Sequence, residues 1–550
     1  MLLMETIYYG GKIISMSEAT AEDALAKAPE ALVVRDGVIT AIGNYTELSK
    51  ILGTRAKRVD LQGKCLMPGF IDPHGHAAMV GQMAMLCDLS QCESFSDIVK
   101  TLKQYIADKK ITKKNAVMGF GYDHNFLVEF AQPDKRVLDQ VSKDIPIFIL
   151  HVSAHLACAN SAALTLAGVK EDTEDPQGGV IGRIPGTKEP SGYLEEAGMQ
   201  LIQKGIASRM KIDLKAMFAG VQQKYLENGI TTIQDGATTG RDFGTLKMMS
   251  ALGMLKLDVV AYPLMSAGGE DLVKKNAKRD GKYHRHLKIG GYKLVLDGSP
   301  QGRSAWMSEP YLGGEPDYCA YPWLKDEQVY EFVKQAVLEG KQLLAHCNGD
   351  AASQQYLNAY EKAIAETGNK SDLRPVMIHC QTVRDDQLDR MAKIKMIASI
   401  FVGHVWYWGD VHLRNFGEKR GHHISPVRDA LDRGIHVNFH QDPPVTKPDM
   451  LHSVWCAVNR ISRGGQVIGE DQKISVYDAL RAITIEGAYQ YFEEESKGSL
   501  AVGKRADMVI LSDSPLEVDP MEIRNIKVVE TIKDGKTVYA YKQLMDTPLR

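Results

Sequence analysis

Two histidines one residue apart close the apolar run Leu66-Met67-Pro68-Gly69-Phe70-Ile71-Asp72-Pro73-His74-Gly75-His76. On an extended strand, side chains two apart point to the same face. Both imidazoles can therefore reach one ion from the end of a buried strand. A lone His-x-His is usually a pair of loop histidines, so its company decides. Further on, polar residues of metal-binding type end other apolar runs: Lys293, with Asp297 four residues beyond, then His346, His379, His404 and Asp442. One histidine at one strand end is ordinarily structural. Several, with a carboxylate, at separately read strand ends make the nitrogen and oxygen donor set that suits Zn²⁺ or another borderline divalent metal.

These residues need a frame that gathers strand ends. The middle of the chain alternates buried strands with amphipathic helices. Strands are expected at Cys65–Ile71, Ile230–Gln234, Leu257–Leu264, Ile289–Leu296, Gln342–His346, Pro375–His379, Met396–Val402 and Ile435–His440. Between them, Asp326–Leu338 sets Val329, Phe332, Val333, Ala336 and Val337 on one stripe before Gly340, and Ala351–Glu366 repeats the pattern. Eight strands in βα alternation give the expectation of a (β/α)8 TIM-like barrel over residues 67–494, whose active site lies at the C-terminal strand ends. Residues from about 80 to 225 exceed one loop and read as a large insertion after the first strand. It contains a helix near Ser94–Ala107 and a strand at Ile145–Leu150, then a short helix from Ser161 to a Gly168 stop. Both chain ends, 1–66 and 495–550, read as short strands and turns, with hairpin signals at Arg35-Asp36-Gly37 and Lys533-Asp534-Gly535. They are expected to pair into one small β-sandwich.

Composition excludes several classes. Of 550 residues, 44% are hydrophobic and 25% charged, with a net charge of -3 and no long basic block, which argues against nucleic acid as a partner. The apolar stretch Ile145 to Val169 carries Pro146, His151, His155 and Asn160, which makes a membrane span costly. The first residues lack the pattern of a signal peptide, and the eight cysteines are scattered with no CxxC. Reduced thiols in a cytoplasmic protein are expected.

Several long motifs occur in an order that resembles the amidohydrolase superfamily of metal-dependent hydrolases, in the branch that includes N-substituted formamide deformylases. They are Pro68 to His76, the Lys293 strand leading to Asp297-Gly298-Ser299, the His346 and His379 strands, and Val402-Gly403-His404-Val405-Trp406-Tyr407-Trp408-Gly409-Asp410. Asp442-Pro443-Pro444-Val445 and Gly498-Ser499-Leu500-Ala501-Val502-Gly503-Lys504-Arg505-Ala506-Asp507 complete the series. The resemblance implies that His74 and His76 bind one metal with Asp442, that His346 and His379 bind a second, and that a carboxylated Lys293 bridges the two. It implies Asp442 as general base, with His346 and His379 at the reacting carbonyl. Glu196 matches a family motif as an alternative bridge or a substrate contact. One or two Zn²⁺ per chain, or other divalent ions, would be the cofactor, and a small amide-type molecule the substrate. A homodimer is left open.

The reaction expected is hydrolysis of a non-peptide carbon–nitrogen bond in an N-substituted amide or formamide. The same frame and metals suit a heterocycle deaminase, a lactonase or a phosphoester hydrolase, and a catalytically inactive binding protein is the reading from another class. Asp297, His155, Glu196, His404 and Trp406 are the candidates for substrate contact. For His404 and Trp406, core packing weighs as much. His151 and His155 read equally as satisfied core histidines, and Asp123-His124 as a solvated turn.

Overall fold

The apolar runs named above form strands, each beside its neighbour in sequence, but the first, expected as Cys65–Ile71, is divided: Cys65–Pro68 joins a sheet of the chain ends and only Phe70–Ile71 enters the parallel series. In chain order they are β1 (Phe70–Ile71), β2 (Ile230–Thr238), β3 (Asp258–Pro263), β4 (Leu287–Ile289 and Gly291–Val295), β5 (Gln342–Cys347), β6 (Val376–His379), β7 (Ile397–Ile400) and β8 (Val437–Phe439). One sheet runs β4-β3-β2-β1 and another β4-β5-β6-β7-β8, with parallel pairing throughout. The computed structural model describes residues 5–541 apart from 53–55, 84, 125–126, 152–155, 177–178, 211–213 and 314–315. The result is a TIM-barrel-like α/β fold. β4 is split where a single strand was expected, because Gly290 presses on the Tyr262 ring: an added Cβ would lie 2.6 Å from the Tyr262 hydroxyl.

Helices follow the strands as their stripes require. Asp326–Leu338 follows β4 and buries Val329, Val333, Ala336 and Val337. Asp350–Thr367 follows β5 and ends on Gly368 in the left-handed region, which favours glycine. Inside the strands, Ile71, Val260, Tyr262, Leu344, Val376, Ile378 and Ile397 pack with Ala488 and Tyr491. Gln490 ties this interior together. Its side chain accepts from Asn438 of β8 and donates to the Pro73 carbonyl beyond β1.

The chain ends meet as well. Cys65–Pro68 pairs antiparallel with Met508–Leu511, which pairs with Val528–Lys533 and then Lys536–Ala540. A second sheet holds Glu5–Tyr9, Ala31–Arg35, Val38–Gly43 and Lys57–Asp60. Leu32, Ile39 and Val59 of that sheet share one buried cluster with Leu66, Met508, Ile510 and Ile532 of the other.

Below the strands lies a buried ionic network. Asp258 accepts from Lys497 at 2.6 Å and Lys533 at 2.7 Å, and His286 stands 2.8 Å away. Lys533 also donates to Asp507, and Lys497 to Glu493. Burial alone would raise the Asp258 carboxyl; Lys497 and Lys533 more than offset it and hold it well below its ordinary 3.8. Its contribution to stability is therefore full above pH 3.8 and is lost as pH falls below that value. Asp258→Ala leaves each of two buried ammonium groups with one carboxylate in place of two and is expected to cost about 3 kcal/mol, read as a lower urea midpoint. A midpoint within error of the parent's would show that the network contributes nothing.

The structure divides into two units, residues 1–78 with 222–550, and residues 79–221. The second is a six-stranded sheet in the order Gly179–Arg183, Pro190–Glu196, Leu156–Ala159, Ile147–His151, Val117–Tyr122, Cys87–Asp88. Ile147 and Ile149 face Ile98 and Leu102 of the helix Phe95–Asp108. Phe148 faces the other way, onto Ala163, Met199 and Ile202. No helix among the described residues is long and apolar enough to cross a membrane.

Candidate metal centre

The C-terminal ends of the parallel strands bring together most of the residues singled out above. His74 and Asp442 lie with His379 so that one donor atom of each falls within 4.8 Å of the others. His76 Nε2 is 3.3 Å and His74 Nε2 3.5 Å from Asp442 Oδ1, and His379 Nε2 is 4.0 Å from Asp442 Oδ2. Lys293 Nζ stands 3.5 Å from His74 Nε2. The His346 ring lies edge-on to His379, 4.4 Å between centroids. All of these side chains but His76 and His346 are buried.

Local backbone geometry aims them. Gly75 separates the two histidines where the chain presses on the next turn; a Cβ there would come within 2.9 Å of Pro443. Gly236 similarly leaves room for His74, whose ring carbon an added Cβ would approach to 2.8 Å. His379, Cys380 and Asp442 adopt positive φ values of 72°, 49° and 52°. Left-handed backbone costs a residue with a side chain on the order of 1–3 kcal/mol, and such strain collects at functional sites.

Each histidine is held through its other nitrogen. His74 Nδ1 contacts Gln234 Oε1 at 2.6 Å, and His76 Nδ1 the Gly236 carbonyl at 2.8 Å. His346 Nδ1 meets Asp297 Oδ1 at 3.0 Å, and His379 Nδ1 meets His440 Nε2 at 3.2 Å. His440 is braced in turn by Ser399 Oγ, 3.0 Å from its Nδ1. Such partners fix ring orientation and tautomer in metal sites.

The electrostatics suit a cation. Burial, and then the neighbouring Lys293 and histidines, push His74 well below its ordinary range. Burial and the same cluster lower His379. Both imidazoles are thus neutral, the form that ligates. Burial would raise the Asp442 carboxyl, but the adjacent His76, and then the charge of His440 and Lys293, hold it below the usual carboxylate range. Burial brings the Lys293 amine down to about 7, against the pull of Asp442. His379 Nε2 and Asp442 Oδ1 are buried without a hydrogen-bond partner. Two enclosed ligand atoms without partners, on side chains 4.0 Å apart, fit a site built for an ion.

Not every candidate stands here. Asp297, expected at the substrate, is fully buried. Its carboxylate accepts from the backbone N–H of Trp306, Asn348 and Gly349 besides meeting His346, so it positions His346 instead of facing a ligand. Trp406 packs edge-on to Trp455, 5.3 Å between centroids, and to His452 at 6.0 Å. Trp408, two residues on, lies against His404 at 4.5 Å. His404 itself is buried, with Nδ1 3.1 Å from His412 Nε2. His155 and the side chain of Glu196 lie outside the described residues.

His440 and Gln234 were not singled out from sequence, although His440 directly follows β8 and stands two residues before Asp442. His440→Ala is expected to weaken metal affinity or activity by about 10- to 100-fold through loss of His379 orientation. Competition with a chromophoric chelator measures this, and an unchanged affinity and rate would rule it out.

A TIM-barrel-like fold with these donors at its strand ends defines the class of metal-dependent hydrolases. The chain is similar over 94% of its length to an uncharacterized metal-dependent hydrolase of Pyrococcus horikoshii OT3, covering 99% of that chain at 25% identity with a TM-score of 0.74. It is 28% identical over 561 residues to the putative amidohydrolase YtcJ of Bacillus subtilis (98% of this chain, 99% of that one). It is 26% identical over 531 residues to the N-substituted formamide deformylase of Arthrobacter pascens, across 94% of this chain and 96% of the relative. The Amidohydrolase family model matches residues 57–539, and the chain belongs to that family.

Proposed function

We propose that this protein hydrolyses a non-peptide carbon–nitrogen bond in a small N-substituted amide or formamide. The observation that carries the hydrolytic part is the buried group His74, His379 and Asp442 with two orphan donors. The substrate class rests on the likeness to the Arthrobacter deformylase.

His74, His76 and Asp442 would hold one Zn²⁺ or similar ion, and His346 and His379 a second, with Lys293 between them. A divalent ion bound there supplies hydroxide at neutral pH, by lowering the pKa of coordinated water from 15.7 towards about 7, and polarises a carbonyl. Asp442 takes the proton of the attacking water on its carboxylate and returns it to the leaving nitrogen, as base and then acid. His346 and His379, oriented by Asp297 and His440, flank the carbonyl. Lys293, whose amine burial brings down to about 7, would react with CO₂ in its neutral form: an N–C bond forms, one proton leaves, and the carbamate oxygens would join the donor set.

We read the two parallel sheets as one closed (β/α)8 barrel over 67–494, and the segments 1–66 and 495–550 as a composite sandwich. The chain order of the strands and the shared cluster of Leu66, Met508 and Val59 support this. A cytoplasmic location and a homodimer belong to the same proposal.

The test is a substrate panel of N-substituted formamides, other amides, lactones and phosphoesters, run before and after chelation. Formate and amine release from the formamides is expected, lost on metal removal and restored by Zn²⁺. Turnover of only lactones or phosphoesters would replace the substrate class. Turnover unaffected by complete metal removal would overturn the mechanism.

A further inference from the structure

The inserted unit carries a second cluster of ligand type that the hydrolytic centre does not use. Val117–Tyr122 and Ile147–His151 are parallel neighbours, with His151 opposite Tyr122 across an irregularity in register. Asp123 and His124 therefore leave one strand beside the last residue of the next. We propose that Asp123, His124 and His151 hold a divalent metal ion of the zinc class within this unit, in addition to the centre at His74.

The argument is geometric. His124 Nδ1 and His151 Nε2 are 3.1 Å apart, His151 Nε2 and Asp123 Oδ1 3.3 Å, and His124 Nδ1 and Asp123 Oδ1 3.7 Å. With bonds of about 2.0–2.1 Å, any two ligand atoms of a tetrahedral zinc stand roughly 3.3 Å apart. The three atoms thus outline one face of such a tetrahedron.

A cation at the centre would take a lone pair from each of the three atoms at once.

The surroundings fit an ion with an open side. His151 is buried, and the Tyr122 ring stands edge-on to it at 5.3 Å. The Tyr122 hydroxyl is turned away, donating to Gln132 at 2.9 Å. The Asp123 and His124 side chains keep 22% and 31% of their exposure, which admits water or a further ligand at the remaining position. Two histidines and one carboxylate with an open position is a donor set used for zinc.

The test counts Zn²⁺ per chain on the full-length protein after loading and gel filtration. The parent is compared with an Asp123→Asn, His124→Gln variant and with a His74→Gln, His379→Gln variant. The first changes only part-exposed side chains and is expected to lose one equivalent while its circular dichroism stays that of the parent. The second is expected to retain one equivalent and, loaded with Co²⁺ instead, to show the visible absorption of a tetrahedral ion. Equal zinc in the parent and the Asp123→Asn, His124→Gln chain would overturn the proposal. So would a His74→Gln, His379→Gln chain that folds and binds no metal. Failure of the hydrolytic centre would appear differently, as no loss of metal in the His74→Gln, His379→Gln chain.

Discussion

Asp442→Asn is expected to keep the fold and lower kcat by about 10²–10⁴-fold on the amide that the panel identifies, the range that a positioned acid–base group supplies. The substitution is nearly isosteric. It leaves an oxygen facing His74 and His76 at the positions now 3.5 and 3.3 Å away, so metal content should fall far less than rate. What it removes is the capacity to take a proton from water and give it to a departing nitrogen. The pH profile carries an independent signature. His76 and the surrounding positive charge hold Asp442 below the ordinary carboxylate range, so the acidic limb of kcat/KM should lie low and disappear in the variant. A variant retaining more than about a tenth of the parent kcat would move the base elsewhere.

Lys293→Ala is expected to abolish turnover on the same substrate and to take the centre from about two metal ions to one or none. The count is best made in the Asp123→Asn, His124→Gln background, where only metals at the strand ends contribute. With the amine brought down to about 7, loading should also follow pH and CO₂. The neutral amine that CO₂ requires becomes scarcer as pH falls below the lysine's value and prevails as pH rises above it. Reconstitution at pH 8 with bicarbonate should therefore reach full occupancy, and at pH 6 under CO₂-free gas should stall. One metal per chain in both proteins would make the centre mononuclear, with Lys293 a structural or substrate-facing residue.

The parts of this protein legible in its sequence are those governed by periodicity. Alternation of apolar runs and helical stripes placed β1 to β8, and the Gly168 stop bounded the short helix Ser161–Ala167. Placement after a strand explains why His74, His76, His379 and Asp442 converge: His379 ends β6, and the others follow β1 or β8 by three to five residues. It does not say which way a side chain beyond the strand turns. Asp297 lies two residues beyond Val295, and there a nest of three backbone N–H groups turns its carboxylate inward. Trp406 and Trp408 lie on the helix His404–His422, where a spacing of four, not two, selects the residue that meets His404. His440 was legible as the residue that directly follows β8. The gathering of Asp123, His124 and His151 was not, because it depends on which strands of the inserted sheet are neighbours.

The pairing of Cys65–Pro68 with Met508–Leu511 has a consequence for how this chain is made. The early strand emerges from the ribosome about 440 residues before its partner, which at 5–20 residues per second is a wait of roughly 20 to 90 s. Throughout that interval Leu66 and Met67, fully buried in the finished molecule, have nothing to cover them on that edge. Synthesis thus produces a long-lived nascent chain with an unpaired apolar strand near its beginning, and such contacts of high sequence separation form late. Yield in a heterologous host should therefore respond to chaperone supply and to slower growth temperature more than to any single substitution in the hydrolytic centre.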